Sequence, residues 1–154
     1  MRAVILGILL NCMSVIVVHQ EALSEQTTPF LLESGKCTEF WKSPSGAIFV
    51  NLGGCFGQSA FRLENSRISK EDYILTSNGN CLYYNNQQLL LSQCRNWHYQ
   101  WRRAKADSGF MLHNNDAHAC LTRKKPLSSK EIEIVMEKCS PQQLTQQWMI
   151  GAPG

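Results

Sequence analysis

The chain has 154 residues, 44% of them hydrophobic and 18% charged, and a net charge of +3. So mild an excess of base provides no footprint for nucleic acid, and none is expected as a partner. The length suits one domain rather than several.

The chain opens with one base, Arg2, followed by an apolar stretch of 16 residues at positions 3–18. A membrane-spanning helix needs about 20. Ala22-Leu23-Ser24 then places small residues at the two positions a signal peptidase reads, so residues 1–24 are expected to be a cleaved signal peptide. No later stretch is apolar for long enough to cross a bilayer, and no stable membrane insertion is expected. Cleavage removes Cys12, so seven cysteines become six in a chain bound for an oxidising, extracellular compartment. Arg2 and Glu21 leave with it, and the remaining 14 bases and 11 acids (15 − 1 and 12 − 1) keep the charge at +3.

Residues 25–154 are expected to form the folded domain, and a repeat organises them. The six cysteines fall in three pairs whose first members lie 44 and 39 residues apart and whose second members lie 39 and 45 apart. An aromatic-led apolar triplet precedes each first cysteine: Phe30-Leu31-Leu32, Tyr73-Ile74-Leu75 and Phe110-Met111-Leu112. A second apolar run precedes each second cysteine: Ile48-Phe49-Val50, Leu89-Leu90-Leu91 and Ile134-Val135-Met136. A lone aromatic follows it, Phe61, Trp101 or Trp148. Five ordered features recurring three times mark one structural unit used three times, over roughly 28–70, 71–108 and 109–151. Six cysteines allow 15 pairings. The repeat selects the one in which each unit closes its own loop, Cys37–Cys55, Cys81–Cys94 and Cys120–Cys139. Each such bridge stabilises by roughly 3 kcal/mol through unfolded-chain entropy.

The apolar runs are short and rich in Ile, Leu, Val and Phe. Turn clusters such as Ser43-Pro44-Ser45-Gly46, Ser77-Asn78-Gly79-Asn80 and Asn114-Asn115-Asp116 interrupt them, which reads as an all-β domain. Ile132, Ile134 and Met136 alternate with Glu133, Val135 and Glu137, the period of a half-buried strand. Residues 64–72 and 102–108 are polar and are expected to be the turns between units. Four strands per unit make twelve around a pseudo-threefold axis, with Phe61, Trp101 and Trp148 as equivalent core positions.

Gly35-Lys36-Cys37, Gly79-Asn80-Cys81-Leu82 and Gln146-Gln147-Trp148 resemble the G-x-C-L start and Q-x-W end of ricin B-type β-trefoil repeats. Pro29-Phe30-Leu31-Leu32, followed by Gly35-Lys36-Cys37, is similar to the cysteine-rich domain of the mannose receptor family. The resemblance implies a β-trefoil that presents one shallow sugar pocket per unit to glycans or glycoproteins. In galactose-binding members an Asp stands two residues after the first cysteine and a stacking aromatic two before the second. Here those positions hold Glu39, Tyr83 and Thr122, and Gly53, Ser92 and Glu137, so no unit carries the full set. The first unit is the most complete, with Glu39 as acid, Asn51 and Gln58 as amides, and Trp41 as an aromatic face from nearby. The mannose receptor domain is similar in taking sulfated sugars through its third unit, where this chain has Arg123, Lys124 and Lys125. Charged donors suit the oxygens of a sulfate.

His98, His113 and His118 do not stand at zinc-ligand spacing from cysteines, and neither metal nor cofactor is expected. No G-x-S-x-G, H-E-x-x-H or phosphate-binding loop occurs, so the chain is not expected to be an enzyme. The leading expectation is a secreted, monomeric lectin-like β-trefoil with a degenerate sugar site. The alternatives are a trefoil that acts through protein contacts, as an inhibitor or receptor-like decoy, and a fragment of a larger receptor.

Overall fold

A computed structural model describes residues 30–33, 35–55, 59–125 and 131–151. The expected signal peptide at residues 1–24, and Gln58, lie outside them. Twelve strands form, four from each unit. The first unit contributes β1 (Phe30–Glu33), β2 (Lys36–Lys42), β3 (Ile48–Gly53) and β4 (Arg62–Asn65). The second contributes β5 (Tyr73–Ser77), β6 (Asn80–Asn85), β7 (Gln88–Gln93) and β8 (Trp101–Lys105). The third contributes β9 (Phe110–Asn114), β10 (Ala119–Lys124), β11 (Ile132–Glu137) and β12 (Met149–Gly151).

The first and last strands of the units close a six-stranded barrel. β1 pairs with β4, β4 with β5, β5 with β8 and β8 with β9. Phe110 and Trp148 then bridge β9 toward β12, and β12 returns to β1. A closed ring leaves no free sheet edge on the barrel. The bridge needs Gly109, which sits at φ +64° against the Trp148 carbonyl, where a Cβ would overlap the backbone. The middle strands form three hairpins, β2–β3, β6–β7 and β10–β11, and β3 also pairs with β11.

The core is threefold. Leu31, Leu75 and Leu112 are each fully buried, as are Cys81 with Leu82 and Cys120 with Leu121. The register places the residue after Leu31, Leu75 or Leu112 opposite the first cysteine of its unit. Leu31 is therefore the counterpart of Leu75, whereas the apolar triplets of the sequence match Leu32 to it. The reason is the turn. Asn78-Gly79 joins β5 to β6 in two residues, both at positive φ as a type I′ hairpin requires. β1 and β2 are likewise two residues apart, so both leucines stand six before their cysteine.

Trp101 and Trp148 donate their indole N–H to the carbonyls of Leu82 (2.8 Å) and Leu121 (3.1 Å), each the residue after a first cysteine. In the first unit Phe61 has no such donor, and the matching Thr38 carbonyl accepts the Phe61 backbone N–H instead, at 2.8 Å. A buried carbonyl left without a donor is costly, and the chain supplies one in every unit. Disulfides join Cys37–Cys55, Cys81–Cys94 and Cys120–Cys139, one within each unit, as suits an oxidising environment. Among the described residues no helix is long and apolar enough to cross a membrane.

The expected turn at residues 102–108 is shorter than its polarity suggests. Arg102, Arg103 and Lys105 belong to β8, where their side chains are exposed while Trp101 is buried in the core. The basic run does not act as a unit. Arg102 pairs with Asp72 at 2.8 Å, and Arg103 lies over the rings of Tyr73 and Phe110 at 5.4 and 5.5 Å.

Candidate functional site

The hairpins bring four sequence positions of each unit into register. The residue two past the first cysteine faces the residue four before the second, giving Glu39 opposite Asn51, Tyr83 opposite Leu90 and Thr122 opposite Val135. The first cysteine faces the position two before the second, giving Cys37 opposite Gly53, Cys81 opposite Ser92 and Cys120 opposite Glu137. All but the cysteines are positions that the ricin B-type resemblance marks for sugar contact, and the three units treat them differently.

In the first unit they line a cleft of about 170 Å³, walled by Glu39, Asn51, Gly53, Gly54 and Ser59. Among the described residues neither Glu39 nor Asn51 has a side-chain hydrogen bond or ion pair with another. A carboxylate and an amide thus stand side by side, free to meet a ligand. Trp41 lies on the same face of β2 as Glu39, two residues on. It does not line this cleft; it stacks on Phe49, its cross-strand partner, with centroids 4.9 Å apart. Its indole Nε1 is buried with no acceptor among the described residues.

In the second unit the same positions are filled from within. Tyr83 stacks on His98 at 3.9 Å, and its hydroxyl shares a hydrogen bond with Ser92 at 3.0 Å. Trp97 packs edge-on against both rings and remains 50% exposed. His98 is buried and accepts the Arg95 backbone N–H at Nδ1, which leaves its proton on Nε2, without a partner among the described residues. Burial and the nearby Arg95 charge hold its pKa below the ordinary imidazole value. Gln100 supplies further closure, accepting from the backbone N–H of Tyr84 and donating to its carbonyl.

The third unit is closed by its Q-x-W glutamine. Gln146 is fully buried, donates to the Thr122 hydroxyl (3.0 Å) and the Lys138 carbonyl (2.9 Å), and accepts the Ser140 backbone N–H. Glu137 accepts from Gln143. The basic residues of this unit diverge. Arg123 lies over the Trp148 ring at 4.8 Å, donates to the carbonyls of Gln147 and Leu144, and is 3.6 Å from Glu33. Burial lowers its pKa and the Glu33 carboxylate opposes that shift. Lys124, the next residue of the strand, faces the other way, opposite Glu133, and Lys125 is exposed beyond it.

A wider cleft of about 410 Å³ lies where the three hairpins meet, over Ile48, Leu89, Ile134 and Met136, with Gln88 and Glu133 at its walls. Of its lining only Val135, opposite Thr122, stands at a position that the ricin B-type resemblance marks for sugar contact. Ser59 was not legible as a site residue. It stands at the degenerate end motif Ser59-Ala60-Phe61, where the third unit has Gln146, and that alignment was the signal available.

No protein-family model matches the chain, and no curated protein sequence matches it. Among solved structures it is similar to a designed 3-fold symmetric protein, ThreeFoil, at 19% identity and a TM-score of 0.61, over 80% of this chain and 97% of that one. It is also similar to Cry35Ab1, at 17% identity and a TM-score of 0.51, over 78% of this chain but only 36% of Cry35Ab1. At these identities the likeness bears on fold alone, and the fold is a β-trefoil of three repeated units.

Proposed function

We propose that this chain is a secreted carbohydrate-binding β-trefoil with one working glycan cleft, in the first unit, and no catalytic activity. The observation that carries the reading is Glu39 facing Asn51 across the β2–β3 hairpin, with neither side chain engaged by another described residue. A carboxylate accepts hydrogen bonds from two neighbouring sugar hydroxyls, and such charge-assisted bonds are short and strong. The amide beside it both donates and accepts. Gly53, at the position of the stacking aromatic, leaves room for a ring to approach the backbone. Among the described residues Glu39 is the one carboxylate lining this cleft, which favours binding over glycoside hydrolysis, a reaction that ordinarily uses two. Secretion is supported by the disulfides and by the signal-like residues 1–24.

Binding of sulfated glycans through the third unit is a second reading. It rests on the exposed Lys124 and Lys125, because Arg123 is engaged with Trp148 and two carbonyls. The protein-contact reading draws on Trp97, half exposed at the edge of the Tyr83–His98 stack. Exposed tryptophans of this kind anchor interfaces.

A glycan array probed with the wild type, Glu39→Gln and the double variant Lys124→Ala/Lys125→Ala tests the three. Retention of neutral glycans by the wild type, lost in Glu39→Gln, is the expected result. A clean negative across the array overturns sugar binding and leaves protein contacts. Loss confined to the double lysine variant, with steep salt sensitivity, moves the site to the third unit.

A further inference from the structure

We infer that the first-unit cleft continues across the seam between the first and second units, and that the two together take a neutral glycan of at least two sugar residues. The inference rests on the proposed glycan cleft and adds the length and charge class of what it holds.

A second cleft, of about 400 Å³, adjoins the first and shares Glu39 and Ser59 with it. Its far wall is the β5–β6 turn with Asn78 and Asn80, and its floor is formed by Phe61 and Leu91. A cleft of about 170 Å³ falls short of the roughly 300–1,000 Å³ of small-molecule sites, whereas its neighbour lies within that range. Glu39 therefore stands between two contiguous spaces, placed to accept hydroxyls from two successive sugars.

The walls suit such a ligand. Among the described residues Ser59, Asn78 and Asn80 have no side-chain hydrogen bond or ion pair with another. The molecule's core polar groups differ in this respect, since Gln100, Asn114 and Gln146 are all engaged. Amides and a hydroxyl so placed match the mixed donor and acceptor edge of a sugar. The apolar floor takes the C–H face of a ring or the methyl of an N-acetyl group. Asn78 is held at φ +49° in a tight type I′ turn, so its wall is already formed before any ligand arrives.

Charge sets the class. Among the described residues Glu39 is the one charged side chain lining either cleft. A sulfated or sialylated sugar in the seam meets that carboxylate with no cation to offset it. The neutral glycan is the species that the pair of clefts accommodates.

The test uses an immobilised panel of neutral mono-, di- and trisaccharides built on galactose, N-acetylgalactosamine, N-acetylglucosamine and mannose, with 3-sulfated and sialylated counterparts. It compares the wild type, Glu39→Gln, Asn78→Gly and Asn80→Arg. Asn78→Gly removes an amide at a φ that glycine adopts freely. Asn80→Arg fills the seam from an exposed strand position. The wild type is expected to hold a neutral disaccharide about tenfold or more tighter than its monosaccharide, the worth of one or two good hydrogen bonds. Asn78→Gly is expected to reduce that gain and Asn80→Arg to abolish it, with monosaccharide binding intact, whereas Glu39→Gln removes both. Equal retention of mono- and disaccharides, a length gain that survives Asn80→Arg, or a wild-type preference for sulfated probes overturns the seam site. If Glu39→Gln still abolishes binding in those cases, the first cleft stands alone. Retention of no probe removes both.

Discussion

In the first unit Glu39 faces Asn51 across an open cleft, while in the second unit Tyr83, at the equivalent place, is stacked at 3.9 Å on His98 and hydrogen-bonded to Ser92. The two hairpins share their register, and the two units share an internal disulfide and a fully buried leucine, Leu31 or Leu75. What separates them is whether the chain supplies its own occupant. An aromatic pair with a matched hydroxyl gives the second unit an internal filling. Among the described residues the first has nothing comparable, and the Glu39 and Asn51 side chains have no partner there. The fold fixes the frame through a few apolar and cysteine positions and leaves the polar ones free to diverge between units.

The frame is where substitution breaks hardest. Trp101→Ala or Trp148→Ala is expected to cost about 3–5 kcal/mol in denaturant unfolding. The milder Trp148→Phe leaves the Leu121 carbonyl without its donor, at a cost of about 1–3 kcal/mol. Phe61→Trp brings no corresponding gain, because the Thr38 carbonyl already accepts a backbone N–H.

Next in size is the open cleft. Loss of the charge in Glu39→Gln is expected to weaken neutral-glycan retention by roughly ten- to a hundredfold, the worth of a hydrogen bond to a charged group. Tyr83→Phe, at the closed equivalent, is expected to leave retention unchanged on the same array.

The filling of the second unit is expected to respond to acid. His98 is held below its ordinary pKa of 6.5, first by burial and then by the Arg95 charge. Above that pH neither the folded nor the unfolded chain protonates it. As pH falls below 6.5 the unfolded chain binds the proton first, so stability drops until pH passes the folded value, and then levels off. Protonation also turns Nδ1 from acceptor to donor against the Arg95 N–H. The melting temperature is expected to fall between pH 7.5 and 5, and Trp97 fluorescence to shift with it. His98→Asn, which keeps an acceptor but does not titrate, is expected to flatten both curves.

The smallest effect belongs to Trp41. Its indole N–H is buried without an acceptor among the described residues, so Trp41→Phe removes an unsatisfied donor while keeping a ring to stack on Phe49. A change within about 0.5 kcal/mol is expected. A larger loss means that Nε1 has a partner in solution, such as an ordered water.

Much of the architecture was legible because it is local and repeated. The aromatic-led triplets became β1, β5 and β9, the second apolar runs became β3, β7 and β11, and the cysteine pairs closed within units, whereas β8 formed from a run whose polarity reads as a turn. The Ile132-to-Met136 alternation became β11. Glu39 and Asn51 were legible together through the ricin B-type positions they occupy, and the β2–β3 register sets them opposite each other. The basic run at Arg123 was misleading as a cluster. Adjacent strand residues point to opposite sides, and the guanidinium found carbonyl partners from the chain around Leu144. Asn78 and Asn80 read simply as turn residues, and nothing in the order of the sequence told that they wall a cleft against Glu39.

The sequence by itself determined the threefold frame, because strand periodicity, two-residue turns and short disulfide loops act over a few residues and repeat. The tertiary structure decided which polar groups remain available. That depends on whether a partner arrives from a distant strand, as Gln146 reaches Thr122 and His98 reaches Tyr83 while no described side chain reaches Glu39. Such partners are set by how three hairpins pack together, and packing of that kind has no signature in the spacing of residues along one of them.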